Sequence, residues 1–141
     1  MALWAGIDEA GYGPLLGPLV VAGAVFQVPG TPREGALWPL LKDAVSRRFK
    51  AADGRLVVDD SKRVYSRARG IRPLEEGVLS FLAVLGVRPS TAGELFAAAF
   101  GPDSRAEDGA PWWQGVSALP LPRRSNAAAL ASKTADLAKA L

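Results

Sequence analysis

The apolar positions of this 141-residue chain change period along its length. Leu3 to Glu9 predicts a strand, and Pro18 to Val28 predicts a longer one whose "LVVAGAVF" centre is almost continuously apolar. That composition fits an inner strand covered on both faces, and covered antiparallel strands look the same. The eight residues between them, "AGYGPLLG", suit an antiparallel hairpin with an elaborated turn.

Beyond Thr31 the period lengthens. "TPREGALWPLLKDAVSRRF" sets Leu37, Leu41, Ala44, Val45 and Phe49 at helical spacing, with Pro39 admissible only near the first turn. "RLVV" predicts a third, short strand. Leu74, Val78, Phe81, Leu82 and Leu85 mark an amphipathic helix that ends at Gly86. "STAGELFAAAF" predicts another, with Thr91 and Glu94 in capping-box spacing. Gly101 to Arg124 holds four of the eleven prolines and reads as a long loop, ordered locally by Trp112 and Trp113. From Ser125 the pattern is helical again, with Leu130, Leu137 and Leu141 along one side. There is no internal repeat and no boundary that divides the chain, so one α/β domain is expected over residues 1–141.

Composition narrows the chemistry. With 49% hydrophobic and 22% charged residues, the chain can bury a core. It has no Cys and no His, which removes thiol nucleophiles, disulfides, Ser-His triads, zinc fingers and the imidazole base. Any metal must be held by oxygen, which favours Mg2+ or Mn2+. The longest apolar stretch, Pro14 to Val28, is broken by Pro18, Gly23 and Gln27 and is too short to span a bilayer. The expectation is a soluble, cytoplasmic protein with no membrane partner.

Charge matters through its distribution. The net value is +3, yet Arg47 to Arg72 holds nine basic residues against three acids. A phosphate backbone suits such a patch. Asp8 and Glu9 stand together at the end of the first strand, just before Gly11 and Gly13. Successive strand residues point to opposite faces, so a shared site requires the strand to end or bend there. Two adjacent carboxylates at such a terminus can bridge one ion and help to hold a second, the arrangement of in-line phosphodiester hydrolysis. Glycines without side chains let the backbone approach a sugar edge and test for its 2'-hydroxyl.

"GIDEAGYGPLLGP" followed by "DDSKRVYS" resembles the opening of type 2 ribonuclease H, ribonuclease HII, whose usual form is a GxDEAGRGP strand-turn and then a DSKKLS segment. The close resemblance covers Gly6 to about Val28 and Asp60 to about Ser66. It implies an RNase H-like α/β sheet with an N-terminal antiparallel hairpin and flanking helices. It matches Asp8 and Glu9 to the first two metal-binding, catalytic carboxylates. Gly11, Tyr12 and Gly13 match the turn that reads a ribonucleotide at an RNA/DNA junction. Asp60, Ser61 and Lys62 match the DSK segment, with Lys62 on backbone phosphate and Arg63 beside it. The implied partner is an RNA/DNA hybrid or ribonucleotide-containing duplex DNA, and the implied cofactor Mg2+ or Mn2+.

Two departures shape the expectation. Tyr12 stands where the family has a basic residue; it can stack on a sugar or base but cannot neutralise a phosphate. The family's two further acids have no match, since after Asp108 the sequence offers only Asp136. The expectation is therefore an N-terminal part of a longer polypeptide, with an incomplete sheet whose unpaired edge invites self-association. The leading functional reading is a metal-dependent endoribonuclease. The alternative is an RNase H-like nucleic-acid-binding module without a complete metal site, and the remaining option is a hairpin-helix interaction domain.

Overall fold

The computed structural model describes residues 1–10, 19–31, 37–49, 54–101 and 111–141, which fall into two compact units, Met1–Pro39 and Leu40–Leu141. In the first unit, β1 (Ala2–Ala10) pairs antiparallel with β2 (Val20–Val28), as the apolar runs predict. The register runs without interruption from Ala2 opposite Val28 to Ala10 opposite Val20. Directly opposed residues share a face, so Leu3, Ile7, Val21 and Val25 belong to one face and Trp4, Phe26 and Val28 to the other.

The expected double coverage of β2 is not found. Leu3, Ile7, Val21 and Val25 are exposed, and Val28 is the one buried residue of β2. The sheet explains this: among the described residues β1 and β2 have only each other as strand partners. A two-stranded ribbon has no inner strand.

Next along the chain, α1 (Leu37–Leu41) ends well before Phe49, to which the helical spacing predicts it. Pro39 sits in its first turn, as required. After Leu41 the chain turns, and Val45–Ser46 becomes β3, parallel to β4 (Leu56–Val57). The ladder is extended by Leu56 N–H donating to Ala44 O at 2.8 Å and Val58 N–H donating to Ser46 O at 3.0 Å. Leu41, Ala44 and Val45 are all buried, so a turn followed by a β-branched strand residue satisfies the same apolar spacing that a continuous helix would. The predicted strand at "RLVV" is β4.

Four helices complete the second unit: α2 (Ser61–Val64), α3 (Arg72–Val84), α4 (Ala92–Phe100) and α5 (Ala127–Ala140). Helix α3 stops where Gly86 predicts. Gly86 takes φ +82°, its N–H donates to Ala83 O at 3.1 Å, and Val87 N–H reaches back to Leu82 O at 2.9 Å, the paired closure that a left-handed glycine permits. The buried face of α3 is not the predicted one. Pro73, Glu76, Leu79 and Ser80 are buried, while Val78 and Leu85 are exposed. Hydrogen bonds set this rotation. Glu75 accepts the backbone N–H groups of Arg123, Arg124 and Ser125, the last two at 2.8 Å, and Glu76 meets Ser125 and Lys133. Those bonds turn the acidic side of α3 toward α5.

Helix α4 opens as its capping box predicts. Thr91 Oγ1 accepts Glu94 N–H at 3.2 Å, and the Glu94 carboxylate accepts the backbone N–H and hydroxyl of Ser90 at 2.6 and 2.9 Å. The second half of the proline-rich region packs along this helix start. Ala92 N–H donates to Leu119 O, Gly93 N–H to Ser117 O, and Leu121 N–H to Ser90 O. Trp113 meets Phe96 edge-on at 6.5 Å between centroids. Helix α5 begins at Asn126, whose side chain accepts Ala129 N–H at 2.8 Å. On its predicted apolar side Leu137 is fully buried, Leu130 is half-buried and Leu141 is exposed. Leu137, Leu56 and Val64 form the most deeply buried apolar positions of the core.

Candidate nucleic-acid interface

Asp8 and Glu9 lie within β1, one residue before its end, and both are exposed. The expected bend is absent. Asp8 opposes Ala22, Glu9 opposes Val21, and the ladder continues to Ala10 opposite Val20. Alternation therefore puts the two side chains on opposite faces of the ribbon. Asp8 uses one oxygen locally, with Oδ1 accepting the Glu9 backbone N–H at 3.0 Å. Two carboxylates so placed do not converge on one ion. Among the described residues no group of three or more acids gathers closely enough to hold a metal.

Gly11, Tyr12 and Gly13, expected to read the ribonucleotide, lie outside the described residues. Asp136, the late acid for which the sequence offers no family context, is exposed on α5 and pairs with Lys139 at 3.4 Å.

Ser61, Lys62 and Arg63 belong to the second unit and form the exposed first turn of α2. Asp60 fixes that turn by capping, its Oδ1 accepting Lys62 N–H at 2.8 Å. Because Asp60 satisfies the helix start internally, the segment projects its cations rather than an empty helix end. Buried Val64 anchors the same turn to the core.

Asp59, which composition presents merely as one of three acids in the patch, organises it. Its Oδ1 accepts Asp60 N–H at 2.9 Å and meets Arg47 Nη2 at 3.3 Å, while Oδ2 lies 3.5 Å from Arg63 Nη1. The backbone N–H of Asp60, reinforced by Arg47 and Arg63, holds the Asp59 carboxyl below the ordinary carboxylate range. The Asp59 side chain is 13% exposed, whereas those of Arg47 and Arg63 are 54% and 72% exposed, so the acid is the shielded member of the group.

The rest of the patch divides by role. Arg69 lies over the Phe49 ring at 4.0 Å from its centroid and points its guanidinium at the carbonyls of Val64 and Arg63. Arg55 donates to Lys42 O at 2.6 Å, and Arg72 approaches Glu76 at 3.8 Å. These three are used to hold the fold. Lys62 and Arg63 lie on the exposed turn of α2.

Comparison with protein-family models, with curated proteins and with solved structures gives no match to this chain. Among the described residues no helix is long and apolar enough to cross a membrane. The described architecture is a mixed α/β one: an antiparallel hairpin, a parallel strand pair and helices.

Proposed function

We propose that this protein binds RNA/DNA hybrids or duplex DNA containing ribonucleotides and hydrolyses the RNA strand, as a metal-dependent endoribonuclease of the type 2 ribonuclease H kind. The observation that carries this reading is the presence of two motifs in one short chain: "GIDEAGYGP", running out of β1, and "DDSKR", running into α2. An exposed carboxylate pair leads into a glycine-punctuated segment, and a self-capped turn presents Lys62 and Arg63 to solvent. In the reaction, water oxygen bonds to phosphorus as the bond to the 3' oxygen breaks, leaving 5'-phosphate and 3'-hydroxyl ends. Mg2+ or Mn2+ supplies charge stabilisation and water activation in such chemistry. As β1 stands, Asp8 and Glu9 do not fit one shared ion.

That same observation favours a second reading, in which the chain binds nucleic acid through its cations and does not cleave it. One assay separates the two. A duplex carrying a single ribonucleotide is incubated with the protein and Mg2+ or Mn2+, and compared with the Asp8→Asn variant. Cleavage that depends on Asp8 supports hydrolysis. Binding without cleavage leaves the second reading, and absence of both removes nucleic acid from the account.

A further inference from the structure

We infer that Tyr65 and Lys62, neighbours on one side of α2, form a stacking and phosphate pair for an unpaired nucleotide, so that the preferred ligand is a hybrid flanked by single-stranded RNA. This inference rests on the nucleic-acid reading above and adds to it Tyr65, a ring with no part in that reading.

Three observations carry it. Tyr65 is 47% exposed while Val64 beside it is buried in the core, so an aromatic side chain stands out from a turn that is itself anchored. The second observation is the side it takes. Tyr65 N–H donates to Ser61 O at 2.8 Å, the bond of a continuing helix, and its φ of −71° is close to the helical value. The φ angle and the chirality of the residue fix where Cβ leaves the backbone, so the side chain sets out as a further helical residue's would, although ψ of 141° ends the helix there. Residues three apart on a helix are neighbours, with Cβ atoms about 5–6 Å from each other, so Tyr65 starts beside the exposed Lys62. Arg63 falls on another side, toward Asp59.

The third observation is that the backbone carrying the pair is held from both ends. Asp60 Oδ1 accepts Lys62 N–H at 2.8 Å, and Arg69 donates to the carbonyls of Val64 and Arg63 at 3.4 Å each. Ser66 O accepts the N–H groups of Arg69 and Gly70 at 3.1 and 2.7 Å. The spacing of ring and ammonium is thus set before a ligand arrives, and a tyrosine has only two side-chain torsions left to fix.

A nucleotide offers an anionic phosphate and an apolar base face on one sugar. Inside a duplex the faces of each base are covered by its neighbours, so an aromatic ring stacks on a base that is unpaired and splayed out. Exposed cations suit a duplex backbone equally well; the ring is what favours a single strand.

Affinity is measured by fluorescence anisotropy over a salt series for a blunt RNA/DNA hybrid, for the same hybrid with a short run of unpaired adenosines extending the RNA strand at either end, and for one whose extension keeps sugars and phosphates but lacks bases. The full chain is expected to prefer the adenosine extension to the baseless one by at least about five-fold, the low end of stacking on an aromatic ring. Tyr65→Ala abolishes that preference, and Tyr65→Phe keeps it because the ring stacks without its hydroxyl. Lys62→Ala lowers the slope of log affinity against log salt on the extended hybrid by about 0.7, the single-strand value for one phosphate.

Equal affinity of the full chain for the adenosine and baseless extensions overturns the inference while leaving nucleic-acid binding intact, and this comparison holds whatever Tyr65→Ala does to folding. A preference that survives Tyr65→Ala in a protein with the wild-type circular dichroism spectrum overturns it too, as does one lost in Tyr65→Phe, which assigns the effect to the hydroxyl. An unchanged slope in Lys62→Ala overturns the pairing of ring and ammonium. A full chain that binds none of these hybrids, nor a DNA duplex of the same sequence, at low salt overturns the inference and the functional reading together.

Discussion

The ammonium of Lys133 on α5 lies 2.5 Å from the carboxylate of Glu76 on α3, with their side chains only 20% and 10% exposed. Ser125 Oγ donates to the other carboxylate oxygen at 3.0 Å, and Arg72 approaches it at 3.8 Å. Glu75, the preceding residue, accepts the three backbone N–H groups that lead into α5. Two consecutive acids thereby fasten one helix to the start and the middle of another.

This fastening makes the cost of a substitution depend on which partner is left behind. Lys133→Met leaves Glu76 largely buried without its main counter-ion, a class of change that costs about 3 kcal/mol or more. Lys133→Met combined with Glu76→Leu removes both charges and is expected to be clearly less destabilising than the single change. Urea denaturation of the three proteins checks this. Equal losses for the single and double variants would show that the cost does not come from leaving the Glu76 charge without its counter-ion.

Stability should carry an acid-sensitive component at the start of α4. The Ser90 backbone N–H and hydroxyl, with the Thr91 N–H, lower the Glu94 pKa from its ordinary value of 4.5. A carboxylate whose pKa falls on folding contributes stability that is fully present above its unfolded value and is lost as pH drops through the folded one. Glu94→Gln should therefore be less stable than wild type at neutral pH, and the gap should close as pH falls below 4.5. Thermal midpoints of both proteins across pH 7 to about 2 test the sign, since the closure must occur on the acid side of the ordinary carboxylate range. A gap that is independent of pH would remove the carboxylate charge from the cap.

Gly93 tests the packing of the proline-rich segment on the same helix. Inside a helix, Gly→Ala ordinarily gains up to about 1 kcal/mol. Here a Cβ on Gly93 would meet Ser117 Cβ at 3.0 Å and Ser117 O at 3.1 Å, and that carbonyl already accepts the Gly93 N–H. Gly93→Ala is therefore expected to destabilise by about 1 kcal/mol, the low end of overpacking. Adding Ser117→Gly should recover part of the loss. Stabilisation by Gly93→Ala would mean that residues 117–121 yield without resistance.

Much of this was legible in the chain because the signals are local. The hairpin, β4, the Thr91 cap and the Gly86 stop each depend on a few neighbouring residues. What escaped depends on distant partners. Val45 continues a helical spacing, yet pairing with Leu56 makes it a strand. The buried side of α3 is selected by Ser125 and Lys133, about fifty residues away, rather than by its apolar stripe. For the candidate site, the exposure of Lys62 and Arg63 follows from their place in a basic patch, whereas the tie from Arg47 to Arg63 runs through Asp59 and the parallel pair. The doubled Asp before "SK" was the available sign: one acid caps the turn and its neighbour is left for another task. At Asp8 and Glu9, strand alternation was legible from the outset, and the uninterrupted register keeps it.

The register of the hairpin can be checked with one substitution made twice. Val25 and Val28 are three residues apart on β2, so alternation places them on opposite faces. Val25 is 66% exposed and Val28 is 4% exposed. Threonine preserves the β-branched shape and strand propensity of valine while adding a hydroxyl, so the same change reports burial with little change in backbone preference. Val25→Thr exchanges exposed apolar surface for a solvated hydroxyl and should alter stability by less than about 0.5 kcal/mol. Val28→Thr places the hydroxyl where water is excluded and should cost about 1–3 kcal/mol unless it finds a partner. A slip of one residue would move every side chain of β2 to the other face and reverse the order of the two variants. Equal, large losses at both positions would instead mean that β2 is covered on both sides, as its unbroken apolar run predicts, by a strand or surface beyond the ribbon. Denaturant midpoints of the two single variants decide among these outcomes, and the described pairing requires Val25→Thr to be the silent one.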